Sequence, residues 1–349
     1  MRFEAAVLTA TGRPLEVAEL TFDEQLQAGQ VLVKVLYSGI CGSQIGEIDG
    51  RKGPDPHLPH LLGHEAIGVV VETGPLATSV TEGDTVVLHW MKGVGLEAPP
   101  ASYQWGDTRV NGGWVTTFTQ MSVVSENRLT KVSSELDPVV LTLLGCAATT
   151  AVGVVTTDAA VRLGDSVVVM GAGGIGLLVV QAARASGAVP VLAYDLIEAR
   201  LRQAELMGAH GSILGVGGNI AREILGALGG VSPDVVIETT GSREVIEASI
   251  ELVKHGGRVV LVGVPRVDDP ITIDSLPLHF GAKIRGSMGG GTSPSVDIPR
   301  IVKMMQSRVL RLEELPTTLL PLAEVNRGIQ MLRDGIVGRV VLDMSDSAP

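Results

Sequence analysis

Four residues carry the side chains a soft metal ion prefers: Cys41, His64, Glu65 and Cys146. A catalytic zinc takes three protein ligands of N, S or O type and keeps a fourth position open. Cys41 opens Cys41-Gly42-Ser43. His64 and Glu65 close Gly63-His64-Glu65. Cys146 lies in Gly145-Cys146-Ala147-Ala148-Thr149-Thr150. The same two cysteines fit a plainer reading as small buried hydrophobes, and no CxxC or HExxH spacing chooses between the two. Cys–His nucleophilic catalysis uses the same residue types, but a metal site accounts for both thiols.

A second constellation is Gly171-Ala172-Gly173-Gly174-Ile175-Gly176, between a strand-like run and a helical one. Gly171 suits the tight turn, Gly173 the approach of a pyrophosphate and Gly176 close helix–strand packing. The helix N-terminus adds free N–H groups and a positive dipole end. Asp195 ends the next strand, 24 residues after Gly171, where a carboxylate accepts a ribose 2′-hydroxyl and repels a 2′-phosphate. This favours NAD over NADP. Arg200, one helical turn on, is within reach of the adenosine ribose or phosphate.

Both constellations need elements to hold them. The first half of the chain reads as β-rich, with short apolar runs VLVKVLYS (31–38), AIGVVVETG (66–74) and DTVVLHW (84–90) between Gly, Pro and Asp turns. Asp137-Pro138 opens the first substantial helix, expected over 139–155. From Asp165 strands and helices alternate: SVVVM, PVLAYD, SILG, DVVIE and RVVLVG, each but the last followed by a helical stretch. That rhythm predicts a doubly wound parallel sheet over 148–288. A glycine-rich joint SMGGGTS (287–293) follows, then helices near 297–307 and 323–334 and a closing strand RVVLDM. The expected fold class is α/β, with a β-rich unit formed by 1–147 and 289–349.

The 349 residues include 44 glycines and two cysteines, with a net charge of −11. Two cysteines exclude a disulfide scaffold and any four-cysteine zinc lobe. The negative charge argues against a general nucleic-acid binder. The uncharged run 166–183 holds four glycines and suits a turn, not a membrane span. The N-terminal segment shows no apolar core of signal-peptide length, so the expected location is the cytoplasm, with no membrane partner.

Taken together, Cys41-Gly42-Ser43, Gly63-His64-Glu65-Ala66-Ile67-Gly68, Gly83-Asp84-Thr85-Val86, Gly145-Cys146, the glycine turn and Gly338-Arg339-Val340-Val341 resemble the zinc-dependent medium-chain dehydrogenase/reductase family. The resemblance implies a GroES-like catalytic domain beside a Rossmann domain. It implies Cys41, His64 and Cys146 as ligands of one catalytic zinc, with Glu65 able to exchange in. Ser43 matches the hydroxyl that starts a proton relay, and Thr150 a residue beside the nicotinamide. Arg339 matches a pyrophosphate-binding arginine, and Trp90 a wall of the substrate pocket. Val264, past RVVLVG, joins Gly171, Gly173, Gly174, Ile175, Gly176, Asp195, Arg200 and Arg339 in the cofactor set.

Gln44 stands where the family commonly has Asp, and Gly46 where it has a relay histidine. With both cysteines used, no structural zinc lobe can form; the segment 91–113 takes its place. Tyr103, Trp105 and Asn111 in that segment are expected in a surface loop, or else in reach of substrate. The implied reaction is hydride transfer between NAD(H) and an alcohol/carbonyl pair. The expected substrate is a secondary alcohol of a polyol, sugar, cyclitol or aminosugar, with an aliphatic alcohol as the alternative. A silent NAD(H)-binding regulator, a zinc-free reductase and an S-adenosylmethionine-dependent methyl transferase are the competing readings. The family implies a homodimer or homotetramer, often through the edge strand near 284–287.

Overall fold

The computed structural model describes residues 1–345 except Lys52, Ser134, Ile336 and Val337. The chain forms two compact units. One holds Met1–Ala147, Ser293–Val302 and Thr317–Pro349, and the other Ala148–Thr292 and Lys303–Pro316.

The first unit is β-rich. Its long strand Gln30–Ile40 lies between Glu65–Thr73 and Arg339–Asp343, and also pairs with Met121–Ser125. Period-two alternation lets it serve two cores. Val31, Val33 and Val35 pack with Ala66, Val86 and Leu342, while Leu32 points into the core of a closed barrel. Contrary to the expectation for 91–113, Ser102–Trp105 and Thr108–Asn111 form a hairpin in that barrel. Tyr103 is buried against Phe3 and Phe22, and its hydroxyl accepts from the Val123 amide at 2.9 Å. Trp105 packs on the same core, and Asn111 donates to the His57 carbonyl at 2.6 Å. The aromatic rings supply apolar area that this aromatic-poor chain has few other ways to provide.

The second unit is a six-stranded parallel sheet in the order Gly211–Leu214, Val191–Asp195, Val167–Met170, Val235–Glu238, Arg258–Leu261, Lys283–Gly286. Counted along the chain this is 3-2-1-4-5-6, the doubly wound order of dinucleotide-binding sheets. Val167–Met170 and Val235–Glu238 are buried throughout, as central parallel strands covered on both faces must be.

The expected boundary at 289 shifts. Residues 289–292 and 303–316 pack with the parallel-sheet unit. The buried Gln181 side chain brackets Arg311, accepting from its amide at 3.0 Å and donating to its carbonyl at 2.9 Å. Gln203 likewise donates to the Glu314 carbonyl at 3.1 Å. The glycine joint is also better packed than a loose hinge. Gly290 adopts φ +69°, and a Cβ there would lie 2.6 Å from the Val154 amide nitrogen, so only glycine fits.

His89 ends the strand Thr85–His89 and is fully buried. Its Nδ1–H donates to the Met91 carbonyl at 2.7 Å, and Nε2 accepts from the Thr130 hydroxyl at 3.0 Å. Burial pushes its pKa down to about 4. The unfolded chain therefore binds a proton near pH 6.5 that the folded chain refuses until about pH 4. Stability is full above pH 6.5 and falls as pH drops through that window, by about 3 kcal/mol at most from this residue. Urea titrations between pH 7 and 4 should show that slope, and His89→Gln should flatten it.

Among the described residues, no single helix is long and apolar enough to cross a membrane. The apolar run at 166–183 divides into the strand Val167–Met170 and the helix Gly174–Ala185.

Candidate active site

Three chain segments bring Cys41, His64 and Cys146 together. Cys41 directly follows Gln30–Ile40 and caps the short helix Gly42–Ile48. His64 precedes Glu65–Thr73. Cys146 occupies a break in the expected helix 139–155. The helix Pro138–Thr142 and a 3-10 turn end at Gly145, Cys146 takes φ −150° and ψ −64°, and a new helix starts at Ala147. The break arises because Gly145 is wedged against a neighbouring strand: a Cβ there would sit 2.3 Å from the Leu88 carbonyl oxygen. This turns the Cys146 thiol toward the other two ligands.

The ligand atoms of Cys41, His64 and Cys146 all lie within 4.8 Å of one another. Tetrahedral zinc, with Zn–S and Zn–N bonds of about 2.3 and 2.1 Å, places its donors roughly 3.5–3.8 Å apart, which a small adjustment reaches. The His64 Nε2 atom is buried with no hydrogen-bond partner. The Cys41 thiol is held well below its ordinary pKa, chiefly by its hydrogen bond with Cys146, with His64 and the charge of Arg339 adding to this against the effect of burial. Thiolate ligation needs that deprotonation. Two sulfurs and an imidazole nitrogen fit the donor set of a catalytic zinc. The Ser43 hydroxyl, buried and without a partner, belongs to the residue two positions past Cys41.

Glu65 stands outside this ligand group. Its carboxylate is fully buried, forms an ion pair with Arg339 and accepts from the Ala147 amide at 3.0 Å. Both residues therefore already have partners within the β-rich unit. The Trp90 ring lies 6.4 Å from the His64 ring at an angle of 55°, and its carbonyl accepts from the Arg128 guanidinium. His60 is tied to Asp55 at 2.8 Å and to its own strand.

Gln44 is 1% exposed, and its two amide atoms face different donors and acceptors. Oε1 accepts from the Cys41 amide at 2.9 Å, and Nε2 lies 2.5 Å from His64 Nδ1. That this carbonyl faces Cys41 and not the histidine was not expected from the sequence. The helix Gly42–Ile48 was not expected either, since seven residues with two glycines carry little helical signal. Its first turn claims that carbonyl for capping.

In the parallel-sheet unit, Gly171 takes φ +94°, and an added Cβ at Gly176 would fall 1.9 Å from the Gly171 carbonyl oxygen. The turn closes only with glycine at both places. Gly173 precedes the helix Gly174–Ala185 and has open space around its missing Cβ. Asp195 reaches back to this turn. Its carboxylate accepts from the Ala172 amide at 2.7 Å and the Ile197 amide at 2.9 Å, with the Arg200 guanidinium 3.6 Å away. Val264 is 65% exposed beyond Arg258–Leu261. Thr150 is buried in the helix Ala147–Gly153.

The sequence reading missed Glu238, at the carboxyl end of Val235–Glu238. This fully buried carboxylate accepts from the Thr240 and Gly241 amides, while Thr239 donates to the Gly171 carbonyl at 3.0 Å. It organises the loop beside the glycine turn. A lone acid ending an apolar strand gave no signal of this.

A doubly wound sheet with a glycine turn and an acid, and a β-rich unit with a Cys-His-Cys centre, together define a metal-assisted oxidoreductase. Comparison with known proteins agrees. Residues 27–134 match the alcohol dehydrogenase GroES-like domain, and residues 174–307 the zinc-binding dehydrogenase domain. An S-(hydroxymethyl)glutathione dehydrogenase of Synechocystis is 30% identical across 96% of this chain and 98% of that protein. An NDMA-dependent alcohol dehydrogenase of Amycolatopsis methanolica is 29% identical across 96% and 97%. The crystal structure of benzyl alcohol dehydrogenase from Acinetobacter calcoaceticus superposes with a TM-score of 0.89 at 27% identity, over 99% of this chain and 100% of that one. The chain belongs to the zinc-dependent medium-chain dehydrogenase/reductase family. Its reaction class is NAD-dependent alcohol dehydrogenation.

Proposed function

We propose that the protein interconverts an alcohol and its carbonyl compound with NAD(H), at a single zinc held by Cys41, His64 and Cys146. The observation carrying this reading is the convergence of those three donors beside the orphaned Ser43 hydroxyl. When bound, zinc supplies Lewis acidity toward the alcohol oxygen and NAD⁺ accepts the hydride. The chain's own residues do the rest. Ser43 takes the alcohol proton onward from its Oγ. The Gly171–Gly176 turn and the helix behind it receive the pyrophosphate. Thr150 and Val264 border the nicotinamide.

Asp195 selects the cofactor. Ribose hydroxyls replace the amide donors now on its carboxylate. Asp195→Ala should lower kcat/KM for NAD⁺ by about 10–100-fold, the value of one or two charge-assisted hydrogen bonds. It should also raise kcat/KM for NADP⁺, because Arg200 is then released to meet a 2′-phosphate. Initial rates with both cofactors test this.

The substrate is an alcohol whose carbon frame rests against Trp90. The polyol reading drew on the unusual 91–113 segment, and Tyr103 of that segment lies in the barrel core, so this support falls away. The half-buried indole beside His64 favours an aromatic or aliphatic alcohol as a second reading. A panel of benzyl, aliphatic and polyhydroxy alcohols, assayed for NAD⁺ reduction by zinc-loaded protein, separates the two. No turnover on any member, with zinc and NAD⁺ bound, would favour a silent regulator. The exposed edge strand Lys283–Gly286 supports a homo-oligomer built by strand pairing.

A further inference from the structure

We propose that the Gln44 carboxamide is a metal-linked switch: it holds His64 in the tautomer that cannot ligate zinc, and it must turn over when zinc binds. This rests on the zinc reading above. The argument is one of donors and acceptors. The Cys41 backbone N–H can only donate, so the Gln44 atom 2.9 Å from it is the oxygen. The atom 2.5 Å from His64 Nδ1 is therefore the amide nitrogen, which only donates. Nδ1 must then carry the lone pair, and the single proton of the neutral ring sits on Nε2.

Nε2 is the nitrogen left to face the two sulfurs, and it is buried without a partner. A ligating nitrogen must offer its lone pair, and its ring normally donates the other N–H to an acceptor. Metal at Nε2 moves the proton to Nδ1, where it meets another donor. Rotating the Gln44 amide by a half-turn relieves that clash and brings Oε1 onto Nδ1–H. The same rotation turns Nε2 against the Cys41 N–H, on a residue that is itself a ligand. In either orientation the amide oxygen faces one of the two donors and the amide nitrogen the other, and Gln44 is too buried for bulk water to replace it. Gln44 is thus a positioning residue that weakens zinc retention. A carboxylate of the same length would accept from Cys41 and His64 at once.

The test uses the full chain, reduced and metal-free, with ¹⁵N-labelled histidine. The His64 signals, assigned by their loss in His64→Asn, should show the proton on Nε2 before zinc and on Nδ1 after it. Gln44→Glu should show the Nδ1 proton already in the metal-free state. In competition with a zinc chelator, Gln44→Glu should hold zinc about 10–100-fold more tightly than the natural sequence. An Nδ1 proton in the metal-free natural chain, or zinc affinities within twofold of each other, overturns the switch. Failure of both proteins to bind zinc overturns the metal reading instead, and the metal-free spectrum still judges Gln44.

Discussion

Cys41→Ser and His64→Ala should each lower turnover by about 10,000-fold or more while leaving NAD⁺ affinity within about threefold of the natural protein. The first figure follows from the several kcal/mol that a metal contributes to stabilising a developing alkoxide, at 1.36 kcal/mol per tenfold. Each substitution leaves two protein ligands. Serine is the sharper test, because it preserves size and replaces a readily ionised thiol by a hydroxyl that stays protonated. The second figure follows from the division of the chain. The glycine turn and Asp195 belong to the parallel-sheet unit, and the ligands to the β-rich one. Metal content by mass spectrometry, NAD⁺ titration and NAD⁺ reduction rates give the three readouts. Undiminished turnover by a metal-free variant would exclude this mechanism.

The parts of this site that follow from local rules were legible in the sequence. The strand–turn–helix around Gly171–Gly176 is set by steric needs of neighbouring residues, and the central strands of the parallel sheet, Val167–Met170 and Val235–Glu238, are near-continuous apolar runs. Cys41, His64 and Cys146 are far apart in sequence, and their assembly came from the order of the motifs, since no spacing signature chose a metal site over buried thiols. What was not legible depended on tertiary contact. The helix expected over 139–155 breaks at Cys146 because Gly145 is pressed against the Leu88 carbonyl. Residues 303–316 join the parallel-sheet unit through two glutamines, the buried Gln181 on Arg311 and Gln203 on Glu314. A polar side chain in a helical stretch does not announce such a partner.

Glu65 and Arg339 are joined by another such contact. The resemblance places Glu65 near the metal and Arg339 on the cofactor pyrophosphate. The structure pairs them, both almost fully buried. A missing Cβ at Gly39 makes the room: one added there would lie 2.5 Å from the Glu65 carboxylate. The other Glu65 oxygen holds the Ala147 amide, one residue past Cys146. The ion pair therefore joins the strands Glu65–Thr73 and Arg339–Asp343 to the helix break that aims a ligand.

Arg339→Met should destabilise the protein by about 3–5 kcal/mol, because it strands a carboxylate in the core with one hydrogen bond left. The double variant Glu65→Gln/Arg339→Met should recover most of that loss, since no buried charge remains and glutamine can still accept from Ala147. The single variant should also bind zinc more weakly. Its Cys41 thiol loses a positive neighbour and becomes harder to ionise. Denaturant midpoints and chelator competition on the two variants separate the contributions. Equal stability of both variants and the natural chain would mean the pair holds nothing together. A fall in NAD⁺ affinity with stability and zinc retention unchanged would return Arg339 to the pyrophosphate. A loss of stability and zinc together, largely restored by the second substitution, would show that Arg339 acts through Glu65 on the placement of Cys146.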